Sequence, residues 1–107
     1  MIHVIATIEA TDGQRDAVLQ ALFNVRSDVF KEPGCYAYEP LIDTPEGLPR
    51  QVEYRQDVIT LIEQWESVAD LESHLNTPHM RAYHQAVGEW ISDVKLQILN
   101  APEVTVG

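Results

Sequence analysis

The sequence predicts an α+β domain in which one antiparallel sheet of four strands carries helices on one face. Three observations support this. Residues 2–10, "IHVIATIEA", alternate with period two, as a half-buried strand does. Ala17, Val18, Ala21, Leu22, Val25 and Val29 recur at helical spacing directly afterwards. The segments then run strand, helix, strand, strand, helix pair, strand, which is the split βαβ order of ferredoxin-like folds. A chain of 107 residues has room for one such domain, taken here as 1–107.

In the first strand Ile2, Val4, Ala6 and Ile8 form the apolar side. "TDGQ" opens the first helix, with Thr11 or Asp12 as the expected N-cap. "KEPGC" stops that helix, because Pro33 and Gly34 are poor helix formers. Residues 35–42, "CYAYEPLI", make the second strand, and Pro40, lacking an amide donor, places it at an edge or bulge. Residues 43–57 hold two prolines, a glycine and several charges and predict a long loop, a feature that is usually functional or disordered. Residues 58–66, "VITLIEQWE", give the third strand.

Ser67 caps a short helix whose expected inner face is Val68, Leu71 and Leu75. Thr77-Pro78 restarts a helix with Met80, Tyr83, Val87 and Ile91 on its buried stripe. Residues 94–100, "VKLQILN", form the last strand, and the tail "APEVTVG" is expected as an extended arm. The sheet face away from the helices, with Ile5 and apolar residues of strand three, spans roughly 400 Å² by standard strand spacings. A partly apolar face of that size calls for a two-fold partner, and a homodimer is expected.

Composition narrows the function classes. Apolar residues make up 45% and charged residues 22%, the balance of an ordinary globular domain. The formal net charge is −10 and the seven basic residues are scattered, which argues against nucleic acid and anionic membrane surfaces as partners. Cys35 is the single cysteine, so neither an internal disulfide nor a thiolate metal cage is available. A lone thiol, no secretory signal and no apolar run long enough to span a bilayer lead to the expectation of a cytoplasmic protein.

His74, His79 and His84 recur every five residues. On one helix that spacing steps about 140° around the axis, so the three do not share a face and no metal site is expected. His84 lies beside the buried stripe and reads either as a general base or as a partly buried, hydrogen-bonded histidine. His74 sits at the rim of the short helix, where it either faces a pocket mouth or bonds the 77–79 turn. His79, in the first turn of its helix, is assigned to local structure in preference to a ligand contact. Trp65 ends strand three and reads as a core or interface residue, or as a flat wall against an aromatic ring. Glu63 shares its face, and a structural role is expected for it. Tyr36, Tyr38 and Tyr83 can each donate a hydroxyl, and Tyr83 ranks first because it shares the helix stripe. Arg50 and Arg55 read as loop residues with their own salt bridges, or as a clamp on an anion.

"MIHVIATIEATDGQ", "EPGCYAY", "IEQWES" and "LESHLNTPHMRAY" together resemble the antibiotic biosynthesis monooxygenase superfamily of dimeric α+β barrels, over about residues 2–100. The 43–57 loop and the segment after it are similar to the quinol monooxygenase branch. The resemblance implies a pocket between sheet and helices, and oxygenases that use neither flavin nor metal. In such enzymes a quinol-like aromatic loses a proton and its anion passes an electron to O₂. On this reading His84 is the base, His74 assists, Tyr83 donates to the substrate oxygen, and Trp65, Met80 and His79 contact the ring. The haem-degrading branch carries Asn, Trp and His at positions that fall here on Ala6 or Thr7, His74 and His84, so only the histidine is retained. The same scaffold also admits a small-molecule isomerase or a non-enzymatic dimer that binds aromatics.

Overall fold

The computed structural model describes residues 1–103. The elements are β1 (Ile2–Ala10), α1 (Arg15–Phe30), β2 (Cys35–Leu41), β3 (Val58–Trp65), α2 (Val68–Leu75), α3 (Pro78–Val87) and β4 (Ile91–Leu99), with a 3-10 turn, Gly88–Trp90, before β4. The strands form one sheet in the order β2-β3-β1-β4, and every neighbouring pair is antiparallel. This is the ferredoxin-like α+β arrangement the segment order predicts.

Strand register explains where the core lies. Val4, Ala6 and Ile8 of β1 stand opposite Glu63, Leu61 and Ile59 of β3, so these side chains share one face. Val18, Leu22, Val25 and Val29 of α1 pack onto that face with Leu71 of α2 and Met80, Tyr83 and Val87 of α3. Each full burial of such a side chain is worth about 1.5–3 kcal/mol. The opposite face carries Ile5 beside Ile62, framed by Thr7 opposite Thr60 and His3 opposite Gln64.

β4 reaches past the helical layer. Its Val94, Leu96 and Ile98 pair with Ile8, Ala6 and Val4 and therefore point to the helix side, yet each is close to half exposed. Among the described residues no helix is long and apolar enough to cross a membrane.

Four local features depart from the sequence reading. α1 begins at Arg15 with no side-chain cap. Residues 11–14 instead form a turn closed by the Gln14 amide donating to the Thr11 carbonyl at 2.9 Å, with Gly13 at φ +78°, a left-handed conformation a helix cannot pass through. In α2 the buried pair is Leu71 and His74, while Val68 and Leu75 are exposed, because His74 turns inward to a carboxylate described below. Ile91 leaves the α3 stripe and opens β4 opposite Ala10, three residues earlier than the spacing suggests. β2 and β3 end at Leu41 and Trp65, one residue short of the expected bounds.

The caps of the other two helices match expectation. Ser67 Oγ accepts from the Asp70 amide, and Thr77 Oγ1 accepts from the Met80 amide ahead of Pro78. Residues 43–57 are irregular, and the loop is pinned at its base by Arg55, which donates to both oxygens of Asp43 at 2.9 Å. Residues 101–103 have no regular structure, and the rest of the expected tail arm lies outside the described residues.

Candidate active site

The alternation of β3 places Leu61, Glu63 and Trp65 on the helix side of the sheet. Glu63 is a carboxylate in an apolar row and is only 4% exposed. Its Oε1 accepts a hydrogen bond from the Trp65 indole nitrogen at 2.9 Å. β2 sets Tyr38 directly opposite Glu63. Above them α2 delivers His74, whose ring lies 4.7 Å from Trp65 and 5.5 Å from Tyr38, centroid to centroid.

A second carboxylate holds the histidines. Glu32, at the end of α1, places Oε2 at 2.9 Å from His74 Nδ1 and 2.8 Å from His79 Nε2. A carboxylate accepts and does not donate, so both imidazoles are fixed as donors toward it. In neutral His74 that leaves Nε2 as a lone-pair acceptor.

Tyr38, Glu63 and His74 border a pocket of about 120 Å³ between sheet and helices. Its inner wall holds Ala6, Leu61, Tyr38, Glu63 and His74, and α3 supplies Met80, Tyr83 and His84. The exposed residues Leu75, His84, Val94 and Leu96 mark its open side. Neither Lys nor Arg is part of the lining. Among the described residues no buried side-chain polar atom lacks a partner. Among the described residues the Tyr38 hydroxyl, Glu63 Oε2 and His74 Nε2 find no hydrogen-bond partner, so each reaches accessible surface, and all three residues line this pocket.

The pocket changes how its groups hold protons. Burial pushes the Glu63 carboxyl up to about 7, against the indole hydrogen bond that favours its anion and with the Glu32 charge adding to the rise. Burial lowers His74, offset in part by its bond to Glu32. Burial raises Tyr38 well above the usual phenol range and lifts Tyr83 to about 12, so both hydroxyls stay donors at neutral pH. Cys35, half-buried, is raised to about 11, again chiefly by burial, and stays a thiol.

The structure gathers His84, His74, Tyr83 and Met80 of the sequence-selected residues around the pocket. His84 is an exposed residue beside the Tyr83 ring, 5.3 Å away. His79 is not part of the lining and holds Glu32 instead. Trp65 lies in the core, fully buried, and its indole reaches Glu63 without lining the pocket. Tyr38, ranked below Tyr83 in the sequence reading, also lines the pocket, and Glu32, which that reading did not consider, holds two of the histidines. Among the described residues no three His, Cys, Asp or Glu side chains are grouped so as to hold a metal ion.

A two-layer α+β domain with an apolar pocket bordered by proton acceptors and hydroxyl donors has the form of a small-molecule enzyme. The chain belongs to the antibiotic biosynthesis monooxygenase family, whose sequence profile matches residues 1–86. It is 44% identical over 101 residues to the "probable quinol monooxygenase YgiN" of Escherichia coli K12, covering 92% of this chain and 96% of that protein. The crystal structure of a Pseudomonas aeruginosa protein superposes with a TM-score of 0.78 at 26% identity, covering 95% of this chain and 94% of the other. A Mycobacterium tuberculosis structure shares the fold, with a TM-score of 0.76 at 22% identity and 98% coverage of both chains.

Proposed function

We propose that this protein is a monooxygenase that oxidises quinol-like aromatics with O₂ and needs neither flavin nor metal to do so. The observation that carries the reading is the apolar pocket lined by His74, whose Nδ1 is held by Glu32 so that Nε2 is left to accept a proton. Family membership and the resemblance to YgiN support the substrate class.

A ring seated among Leu61, Met80 and Leu96 has His84 at the pocket's open side and His74 at the inner wall. One imidazole takes a hydroxyl proton, and His84 is the nearer of the two to solvent for returning it. Tyr83 donates to the oxygen on which charge develops. The anion gives an electron to O₂, and recombination leaves one oxygen atom on the ring and releases the other as water. A quinol plus O₂ thus gives a hydroxyquinone plus water. Met80 packs on the ring, while His79 and Trp65 act through Glu32 and Glu63. The working unit is a homodimer, and the protein acts in the cytoplasm on small molecules.

The test is oxygen uptake by metal-free protein given a reduced naphthoquinone. Turnover above background is expected, with kcat in His84→Ala lower by about 10²-fold. No turnover with a panel of quinols and anthrones refutes the reading. Turnover that survives without O₂ identifies an isomerase instead.

A further inference from the structure

We infer that Glu63 is a second catalytic group, the acceptor for the proton of a substrate hydroxyl at the inner wall of the pocket, and that Trp65 is its positioning residue. The inference rests on the reading of this pocket as a site for hydroxylated aromatic rings.

Geometry carries it. A carboxylate is rarely buried without a cationic partner, because desolvation of the charge is costly. Among the described residues Glu63 has no such partner, and neither Lys nor Arg lines the pocket with it. Tyr38 of β2 stands opposite it, Cys35 of β2 and Glu32 at the end of α1 are near enough for their charges to couple to it, and His74 of α2 and Tyr83 and His84 of α3 line the same pocket. Among the described residues only Trp65 bonds it, and through Oε1 alone. Oε2 is left accessible in the pocket, on the same wall as the Tyr38 hydroxyl. A structural carboxylate in this row has no evident purpose, since Leu or Gln would fill the space without the desolvation cost.

The chemistry needs such a group. Conversion of a quinol to a hydroxyquinone removes the hydrogens of both ring hydroxyls, which sit at opposite ends of the ring. A base at the pocket's open side serves one end, and the inner wall, which holds Glu63 and His74, supplies the acceptor for the other. In the step assigned here the O–H bond of the inner hydroxyl breaks, its electron pair stays on the substrate oxygen, and a new O–H bond forms on Glu63 Oε2. Tyr38, a donor beside it, steadies the resulting oxyanion. A carboxyl that changes protonation near neutral pH is suited to this transfer.

The experiment has one arm without turnover and one with it. Under nitrogen at about pH 8, a chloronaphthol is added to the protein and difference infrared spectra are recorded. The expected result is a protonated-carboxyl band that appears on binding, persists in His84→Ala and is absent in Glu63→Gln. Ionised naphthol without that band means an imidazole took the proton, and the inference falls. It also falls if the naphthol binds unionised. In the oxygen-uptake arm, Glu63→Gln is expected to lower kcat by about 10²-fold with KM little changed, and to alter the acid limb of the pH profile. Trp65→Phe removes the bond that favours the anion and should move that limb to higher pH. An unchanged limb overturns the positioning role, and this variant carries the test should Glu63→Gln not fold. Carboxyl protonation without oxygen uptake refutes the oxygenase reading and leaves Glu63 standing. Oxygen uptake with an unaltered pH profile in Glu63→Gln does the reverse.

Discussion

Glu32 and His74, 42 residues apart in sequence, meet through Oε2 and Nδ1 at 2.9 Å, with 8% and 2% of their side chains exposed. The bond occupies Nδ1 of His74, and α2 carries this histidine in place of Leu75 on its buried side. Glu32→Gln should therefore do two things. Loss of a buried charge-assisted bond should lower stability by about 1–3 kcal/mol, measured by urea unfolding. The His74 tautomer should also become mixed, as read by nitrogen NMR of the imidazole. A variant with unchanged stability and a single tautomer would show that the carboxylate does not hold the ring.

His74 also gives stability a pH dependence. Its folded-state pKa lies below the ordinary 6.5, so as pH falls the unfolded chain takes the proton first. The stability contributed by neutral His74 is present in full above 6.5 and is lost as pH falls below that value. His74→Gln is expected to flatten this acid-side loss in urea midpoints measured across that range.

Glu63 works in the opposite sense. Its ordinary value of 4.5 rises to about 7 in the fold, so between those values the folded protein binds more protons than the unfolded one. Its contribution is full below 4.5 and is lost as pH rises through 7. Relative to the native chain, Glu63→Gln should gain on the order of 3 kcal/mol in passing from about pH 4 to about pH 8. Parallel stability curves for the two proteins would show that burial does not hold the proton on this carboxyl.

Much of this architecture is legible in residue periodicity, because alternation in β1 and β3 and the 3.6-residue recurrence in α1 and α3 are local properties. Even the inward direction of Glu63 follows from alternation, since Leu61 and Trp65 flank it on the same face. Its possible chemistry does not, because the absence of a cationic partner depends on which strand lies beside β3 and in what register. Tyr38 faces Glu63 only through that register. Glu32 was hidden for another reason. It sits in "KEPGC", where Pro33 and Gly34 read as a helix stop and the residue before them as punctuation. The Leu71–His74 face of α2 was misread because Val68 and Leu75 offered an apolar spacing that a polar partner outweighed.

Arg55 and Asp43 close the base of the long loop with two parallel hydrogen bonds, joined by the Arg55 amide donating to Asp43 at 3.0 Å. The Arg55 contacts hold the Asp43 carboxyl below its usual range. The Arg55 side chain is 40% exposed, so Arg55→Ala should change global stability by less than about 1 kcal/mol. Cleavage within residues 44–54 by a nonspecific protease should nonetheless accelerate severalfold, because the loop loses its clasp. Equal cleavage rates would show that the loop is held by something other than this pair.

Leu96 presents the clearest test of assembly. Together with Val94 and Ile98 it forms an apolar stripe on β4 that continues the sheet's inner face beyond the helices, and the free edge of β4 lies beside it. Such an edge invites association unless it is covered. The bare sheet face, with Ile5 beside Ile62, adjoins it around the same strand. A two-fold partner laid against that face would cover the Ile62 side and reach around β4. Leu96→Asp and Ile62→Asp should each convert a dimer into a monomer in sedimentation equilibrium, while Gln20→Glu on the exposed face of α1 should not. Because Leu96 also lines the open side of the pocket, the monomeric Leu96→Asp protein should lose oxygen uptake as well. A native protein that sediments as a monomer at micromolar concentration, or a dimer unaffected by both substitutions, would mean that these surfaces are not where copies meet.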